Sequence, residues 1–137
     1  FNWGIVMAWA AINNNISIEI ITLYLAAIFW TLGYDTIYGT QDMSDDEIIG
    51  LKSTSIKFKK NIKIFVSFCY LLSFLILMIL FYKNLELNYF TFFIGIYFIS
   101  LIYQIKMFNK NNPVSCLNAF KINNISGLLL FLSIYLI

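Results

Sequence analysis

Long apolar runs, separated by short polar breaks, dominate the pattern of the chain. Most of these runs approach the length of about 20 residues that a helix needs to cross a membrane. They predict five helices, at about 1–12, 16–34, 62–82, 88–106 and 124–137. Backbone groups cannot stay unpaired in hydrocarbon, so the fold class expected from such runs is an all-α integral membrane bundle.

The polar breaks support this division. Asparagines at 13–15 separate the first two helices, and the segment 83–86 separates the third from the fourth. Pro113 stops the fourth helix, since proline lacks a donor and disfavours helix at the residue before it. The segment 113–123 is expected to form a short interfacial helix with Pro113 in its first turn. The last helix is short for a span, and the residues from Asn118 onward could extend it.

Composition agrees with a membrane protein. The 137 residues are 61% hydrophobic and 12% charged, whereas a soluble domain has about 45–50% apolar and about 25% charged residues. Cys69 and Cys116 match no metal or redox spacing and are expected to be structural. The expected environment is the lipid bilayer, and no nucleic-acid partner is expected. Because the chain opens on Phe1 inside an apolar run, an upstream beginning is favoured over a processed terminus.

Lysine placement predicts the orientation. Eight of the nine lysines fall after the second helix or between the fourth and fifth, at positions 52, 57, 59, 60, 63, 106, 110 and 121. Only Lys83 lies in the connection between the third and fourth helices. The positive-inside rule therefore places the lysine-rich ends on the cytoplasmic face.

An acidic cluster follows the second helix. Five of the seven acidic residues fall there, at Asp35, Asp42, Asp45, Asp46 and Glu47. Carboxylates this close repel one another and favour a bound cation or a cationic neighbour. If the helix continues past Tyr34, its period puts Asp35, Asp42 and Asp46 within about 20° of one face. On that projection Tyr38 lies near the same stripe, and Asp45 and Glu47 point elsewhere.

Oxygen ligands without histidine or cysteine suit a hard cation such as Mg²⁺. Asp42 and Asp46, four residues apart, are spaced to offer one oxygen each. The ammonium of Lys52 could take up charge on a leaving diphosphate. The alternative is a solvated acidic loop, balanced by the lysines that follow it.

Three consecutive motifs carry a family resemblance. Tyr34–Gly39, Gln41–Asp46 and Ile49–Thr54 resemble the second aspartate-rich motif of UbiA-type prenyltransferases that act on 4-hydroxybenzoate, where YDTxYA, QDxxDD and IGxKST follow in order. Gly39 stands where alanine is usual. Stretches at 4–11, 103–104 and 119–127 are similar to the helix before the motif and to the last two helices of the family.

The family's first aspartate-rich motif has no match in this chain. Because family members have about nine helices, the resemblance implies that residues 1–137 are the C-terminal part of a single UbiA-type transmembrane domain. The implied reaction belongs to ubiquinone biosynthesis. It transfers a polyprenyl group from polyprenyl diphosphate to the ring of 4-hydroxybenzoate, ortho to the hydroxyl. The implied location is the bacterial or mitochondrial inner membrane, with the active site on the cytoplasmic or matrix face.

The resemblance also implies residue roles. Asp42 and Asp46 would carry Mg²⁺, and Asp35 would either bind metal or orient the aromatic substrate. Lys52 and Tyr38 would bind the diphosphate, the alternative for Lys52 being an ordinary positive-inside lysine. Because the complete metal site needs both aspartate-rich motifs, the 137 residues alone are expected to be inactive.

The sequence leaves two other functions open. The first is a related prenyltransferase with a naphthoate, homogentisate or porphyrin acceptor. The second is a non-enzymatic transporter of divalent cations. Transport normally places ionisable groups within the spans, whereas here Glu19 and Lys63 lie at helix ends.

Overall fold

A computed structural model describes residues 2–137, which form helices joined by short connections. Phe1, at the start of the first predicted helix, lies outside the described residues. The helices are α1 (Trp3–Asn13), α2 (Ile18–Gly39), α3 (Met43–Ile48), α4 (Thr54–Lys57), α5 (Ile62–Leu80), α6 (Tyr89–Met107) and α7 (Pro113–Tyr135), with a 3₁₀ turn at Tyr82–Asn84. Within residues 2–137 four of them, α2, α5, α6 and α7, are long and apolar enough to cross a membrane.

The prediction for the end of the chain is corrected in one respect. The segment 113–123 and the last predicted helix are one continuous helix, α7. Pro113 occupies its first turn, and the Asn112 side chain caps it by accepting from the Ser115 backbone N–H at 3.3 Å. The polar residues at 121–124 contain no proline or glycine, so nothing in that stretch interrupts the helix.

The four long helices pack antiparallel to their neighbours. Between α2 and α5, Ser73 contacts Ala26 while Tyr70 contacts Gly33, so the contacts advance along one helix as they retreat along the other. Contacts between α2 and α7 and between α5 and α6 show the same reversal. The chain turns back between α6 and α7, where Cys116 contacts Asn109 while Ser126 contacts Gln104. The C-terminal end of α2 therefore lies at the same end of the bundle as the N-terminal ends of α5 and α7.

A buried polar chain ties three of these helices together. The Tyr70 hydroxyl on α5 donates to Gln104 Oε1 on α6 at 2.7 Å. Gln104 Nε2 donates in turn to Ser126 Oγ on α7, also at 2.7 Å. Gln104 and Ser126 are fully buried. An unpaired polar group in this interior would be costly, so these hydrogen bonds fix the register of the three helices.

The outer surface of the bundle is apolar. Large side chains such as Ile64, Phe68 and Ile79 on α5 are more than half exposed. A soluble helix would carry polar residues on that face. An apolar exterior on helices of membrane-spanning length identifies an integral membrane protein.

Candidate functional site

Asp35 lies in the last part of α2, with an exposed side chain. Its neighbours Thr36 and Ile37 are fully buried against the rest of the bundle. The helix thus turns its acidic residue outward at the end where the chain leaves the bundle. The carboxylate of Asp35 is therefore accessible.

The extension of α2 through Asp46 is wrong. The helix ends at Gly39, and a turn follows in which the N–H groups of Thr40 and Gln41 bond back to Ile37 and Tyr38. Glycine has low helix propensity, and the Thr40 hydroxyl bonds the Thr36 carbonyl at 2.7 Å. Asp35 therefore does not share one helical face with Asp42 and Asp46.

Asp42 and Asp46 lie on a separate short helix, α3. Asp42 is its N-cap residue, and its backbone carbonyl accepts from the N–H groups of Asp45 and Asp46 at 3.1 and 2.9 Å. Its side chain makes no capping hydrogen bond, so the carboxylate is free for other partners. Asp42 is exposed and Asp46 half-buried, one helical turn apart. The predicted i, i+4 relationship of the pair is retained on this second helix.

Glu47 has a different environment from the four aspartates. Both of its carboxylate oxygens accept from Lys59 Nζ, at 2.6 and 2.8 Å. This is the only ion pair between side chains of residues 2–137. The remaining carboxylates of the cluster, Asp35, Asp42, Asp45 and Asp46, have no cationic partner in that part of the chain. Glu47 is occupied, whereas the aspartates are available to a cation.

Gly50 turns the chain after α3. Its φ of +74° is left-handed, a conformation that residues other than glycine adopt at a cost. The N–H of Leu51 bonds the Asp46 carbonyl at 2.9 Å, and the N–H of Gly50 bonds the Glu47 carbonyl at 3.3 Å. These two bonds form a Schellman motif, which ends α3 and directs the chain to the exposed Lys52.

An aromatic contact places α7 beside this segment. The rings of Tyr38 and Phe120 are 4.9 Å apart, and those of Tyr34 and Phe120 are 6.0 Å apart. Tyr38 keeps 41% of its surface exposed. Phe120 was not among the predicted site residues, because only the fold brings it from the far end of the sequence to α2.

An apolar cleft of about 290 Å³ opens further along α2. Trp30 lines it, together with residues of α1, α5 and α7. The Trp30 ring packs edge-on against Tyr34 at 5.8 Å, and its buried indole N–H has no hydrogen-bond partner. Trp30, Tyr34 and Tyr38 recur every fourth residue, so one stripe of α2 runs from the cleft to the acidic segment.

The aspartates supply the oxygen donors that a hard divalent cation prefers. Within residues 2–137, however, no three potential ligands come together as a metal site. A cation bound by Asp42 and Asp46 would therefore need further ligands from outside these residues.

Comparison with known proteins identifies the family. Residues 1–126 match the model of the UbiA prenyltransferase family, and the chain belongs to this family. It is 36% identical to "4-hydroxybenzoate polyprenyltransferase, mitochondrial" of Drosophila pseudoobscura pseudoobscura, covering 99% of this chain and 34% of that protein. The protein of the same name from Dictyostelium discoideum is 39% identical, over 98% of this chain and 29% of its own length.

A bacterial relative gives a similar result. The "4-hydroxybenzoate octaprenyltransferase" of Francisella tularensis subsp. novicida is 37% identical, over 96% of this chain and 46% of that protein. The chain thus spans less than half of the length of these relatives. No solved structure matches it. The predicted family and its helical membrane fold are confirmed.

Proposed function

We propose that this chain carries the second aspartate-rich motif of an enzyme that transfers a polyprenyl group from polyprenyl diphosphate to 4-hydroxybenzoate. The observation that carries the proposal is the acidic segment at and after the end of α2, where four aspartates have no cationic partner within residues 2–137 and an exposed lysine, Lys52, follows in the sequence. Family membership and the names of the relatives support the choice of reaction. On this proposal residues 1–137 are the C-terminal part of one UbiA-type domain.

Asp42 and Asp46 are the proposed magnesium ligands. Neither carboxylate has a cationic partner within residues 2–137, and the two lie one turn apart at α3. Mg²⁺ typically binds through one or two carboxylates plus substrate phosphate and retains several waters. When bound, it supplies positive charge that stabilises a departing diphosphate. Asp35, in the last turns of α2, either adds a ligand or orients the aromatic acceptor.

Lys52 and Tyr38 are proposed to contact the diphosphate. The ammonium of Lys52 is exposed and has no anionic partner within residues 2–137, so it is available to an anion. The Tyr38 ring is held against Phe120, and the residue keeps 41% of its surface exposed. A fixed donor and a cation aimed at developing negative charge lower the barrier to loss of the leaving group.

The proposed reaction breaks the bond between the allylic carbon and the diphosphate oxygen. A carbon–carbon bond then forms at the ring position ortho to the phenol hydroxyl, and that carbon loses its proton. The apolar tail must remain in the bilayer while the diphosphate stays in water, so a site at a helix end satisfies both. The lysine bias supports a cytoplasmic or matrix location for this end, in a bacterial or mitochondrial inner membrane.

The test compares aspartate variants in the full-length protein, assayed with radiolabelled polyprenyl diphosphate. Asp42→Asn and Asp46→Asn each remove a charged ligand and retain size and polarity. We expect each to lower turnover by about 10²–10³, the usual cost of losing one leaving-group stabiliser. Supplying 4-hydroxybenzoate and a naphthoate in parallel identifies the acceptor.

Asp45→Asn is the matched control, because Asp45 is exposed and unpaired on the same short helix. It should retain activity within roughly tenfold, as exposed substitutions usually have small effects. Glu47→Gln is not a neutral control, because it also breaks the ion pair with Lys59. Equal activities for Asp42→Asn, Asp46→Asn and Asp45→Asn would refute the assignment of the metal pair.

A further inference from the structure

The acidic segment forms a closed loop whose two ends are hydrogen-bonded together. We define the acidic loop as residues 40–53, between the end of α2 and the start of α4. Four hydroxyl groups join these ends, those of Thr36, Ser53, Thr54 and Ser55, and we name them the hydroxyl clamp. Thr36 and Ser55 are fully buried. Loops with ends held this way have a defined shape although they lie on the surface.

The first half of the clamp joins Thr54 to Thr36. Thr36 Oγ1 donates its one proton to the Leu32 carbonyl at 2.6 Å. Thr36 Oγ1 must therefore accept from Thr54 Oγ1, which lies 2.8 Å away. This bond connects the first residue of α4 to the last turns of α2.

The second half of the clamp leads from Ser53 through Ser55 to the carbonyl of Gly39. Ser55 Oγ donates its one proton to the Gly39 carbonyl at 3.1 Å. It therefore accepts from Ser53 Oγ, which lies 2.8 Å away. Ser53 Oγ in turn accepts from the Ile56 N–H at 3.3 Å and thereby caps α4. The Gly39 carbonyl is one of those left without an intrahelical partner at the end of α2. A Cβ at Gly39 would lie only 3.1 Å from Ser55 Oγ, so this close approach favours glycine.

We propose that the hydroxyl clamp positions the acidic loop for catalysis, with Thr54 and Ser55 as positioning residues. By pinning both ends of the loop to α2, the clamp holds Lys52 and the carboxylates of Asp42 and Asp46 in one arrangement. This inference rests on the proposed function. The alternative restraint, the Lys59–Glu47 ion pair, is half-exposed. Exposed pairs contribute little, whereas buried hydroxyls left unpaired are costly, so the clamp is the stronger restraint.

The test removes clamp hydroxyls from the full-length protein in detergent micelles. Ser55→Ala deletes the link to Gly39, and the nearly isosteric Thr54→Val deletes the link to Thr36. Thr54→Ser keeps its hydroxyl and should behave as the unsubstituted protein. The matched control is Ser67→Ala, because the Ser67 hydroxyl only bonds the Lys63 carbonyl of its own helix at 2.7 Å.

The first measurement does not depend on activity. Trypsin cleavage after Lys52, followed by mass spectrometry, reports how often the acidic loop opens. Loss of a buried hydrogen bond should raise the initial cleavage rate by roughly five- to a hundredfold in Ser55→Ala and Thr54→Val. The Ser67→Ala protein should be cleaved at the unsubstituted rate. An unchanged rate in both clamp variants would overturn the proposal.

The second measurement is the Mg²⁺ concentration that gives half-maximal prenyl transfer. It should rise at least about threefold in both clamp variants, because a looser loop presents its ligands in the bound arrangement less often. Faster cleavage with an unchanged Mg²⁺ requirement would make the clamp purely structural and overturn its positioning role. Failure of the proposed function is distinguishable, since the unsubstituted protein itself would then transfer no prenyl group.

Discussion

Among the glycines of residues 2–137, Gly33 has the least room for an added methyl group. It lies on α2 where the ring of Tyr70 crosses from α5. A methyl group there would collide with the Cδ1 and Cε1 atoms of the ring and lie 3.3 Å from Cζ. Tyr70 cannot swing aside at little cost, because it is 2% exposed and its hydroxyl is bonded to Gln104. The substitution Gly33→Ala should therefore destabilise the bundle.

Three terms set the magnitude. Overpacking typically costs about 1–3 kcal/mol. A lost interhelical hydrogen bond in a membrane protein adds about 0.6–1.7 kcal/mol, here the Tyr70–Gln104 bond. Replacing a helical glycine with alanine returns about 1 kcal/mol. The free energy of unfolding should thus fall by about 1–4 kcal/mol.

Titration with a denaturing detergent, followed by tryptophan fluorescence, measures this free energy. Gly95→Ala on α6 is the matched control, because a methyl group at Gly95 has no neighbour within 4 Å. It should be neutral or stabilising by up to about 1 kcal/mol. In a Tyr70→Leu background, Gly33→Ala should lose most of its cost, since the ring it strikes is gone. Equal effects of the two glycine substitutions, or a cost that persists without the ring, would refute the reasoning.

Two further predictions concern the chain as a whole. With a membrane-impermeant maleimide on intact cells, Leu87→Cys should be labelled and Asn111→Cys should not, because the lysine bias predicts that the α6–α7 connection is cytoplasmic. Native Cys69 and Cys116 are buried and should not react with the maleimide. Labelling of Asn111→Cys but not of Leu87→Cys would invert the predicted topology. The isolated 137 residues should transfer no prenyl group above a heat-killed control, because residues 2–137 bring no three potential metal ligands together. Prenyl transfer by this chain alone would contradict the need for metal ligands from elsewhere.

The positions of the long helices could be predicted from the sequence, because twenty apolar residues in succession have few alternatives. The ends of helices were harder to place. Gly39 ends α2 because glycine, the Thr40 hydroxyl and the docking of Ser55 act together. Only Gly39 and Thr40 are adjacent in sequence, and a helical projection takes no account of the distant serine.

The site was only partly predictable for the same reason. Its acidic residues are visible in the sequence because they are concentrated in one segment of an apolar chain. The partners that shape the site come from elsewhere: Phe120 lies on α7, and Lys59 is twelve residues beyond Glu47. No local period links such pairs, so their contacts depend on tertiary packing. Ser53 and Thr54 belong to the Ile49–Thr54 motif, and their hydrogen bonds join that motif to α2, directly at Thr36 and through Ser55 at Gly39.

The order of residues along α2 lets one helix contribute both to an apolar cleft in the hydrocarbon region and to an acidic site in water. A polyprenyl diphosphate has a charged end that belongs in water and a tail that belongs in hydrocarbon, so its site must lie across the boundary. On α2 the exposed Asp35 lies one turn before the helix ends, and Trp30 lines the apolar cleft within the bundle. Tyr34 and Tyr38 continue the stripe of Trp30 toward the end of the helix, and each has both an apolar ring and a polar hydroxyl. Because a rigid helix sets the spacing between the cleft and Asp35, the acidic loop is the part of this chain's proposed site that must be positioned separately.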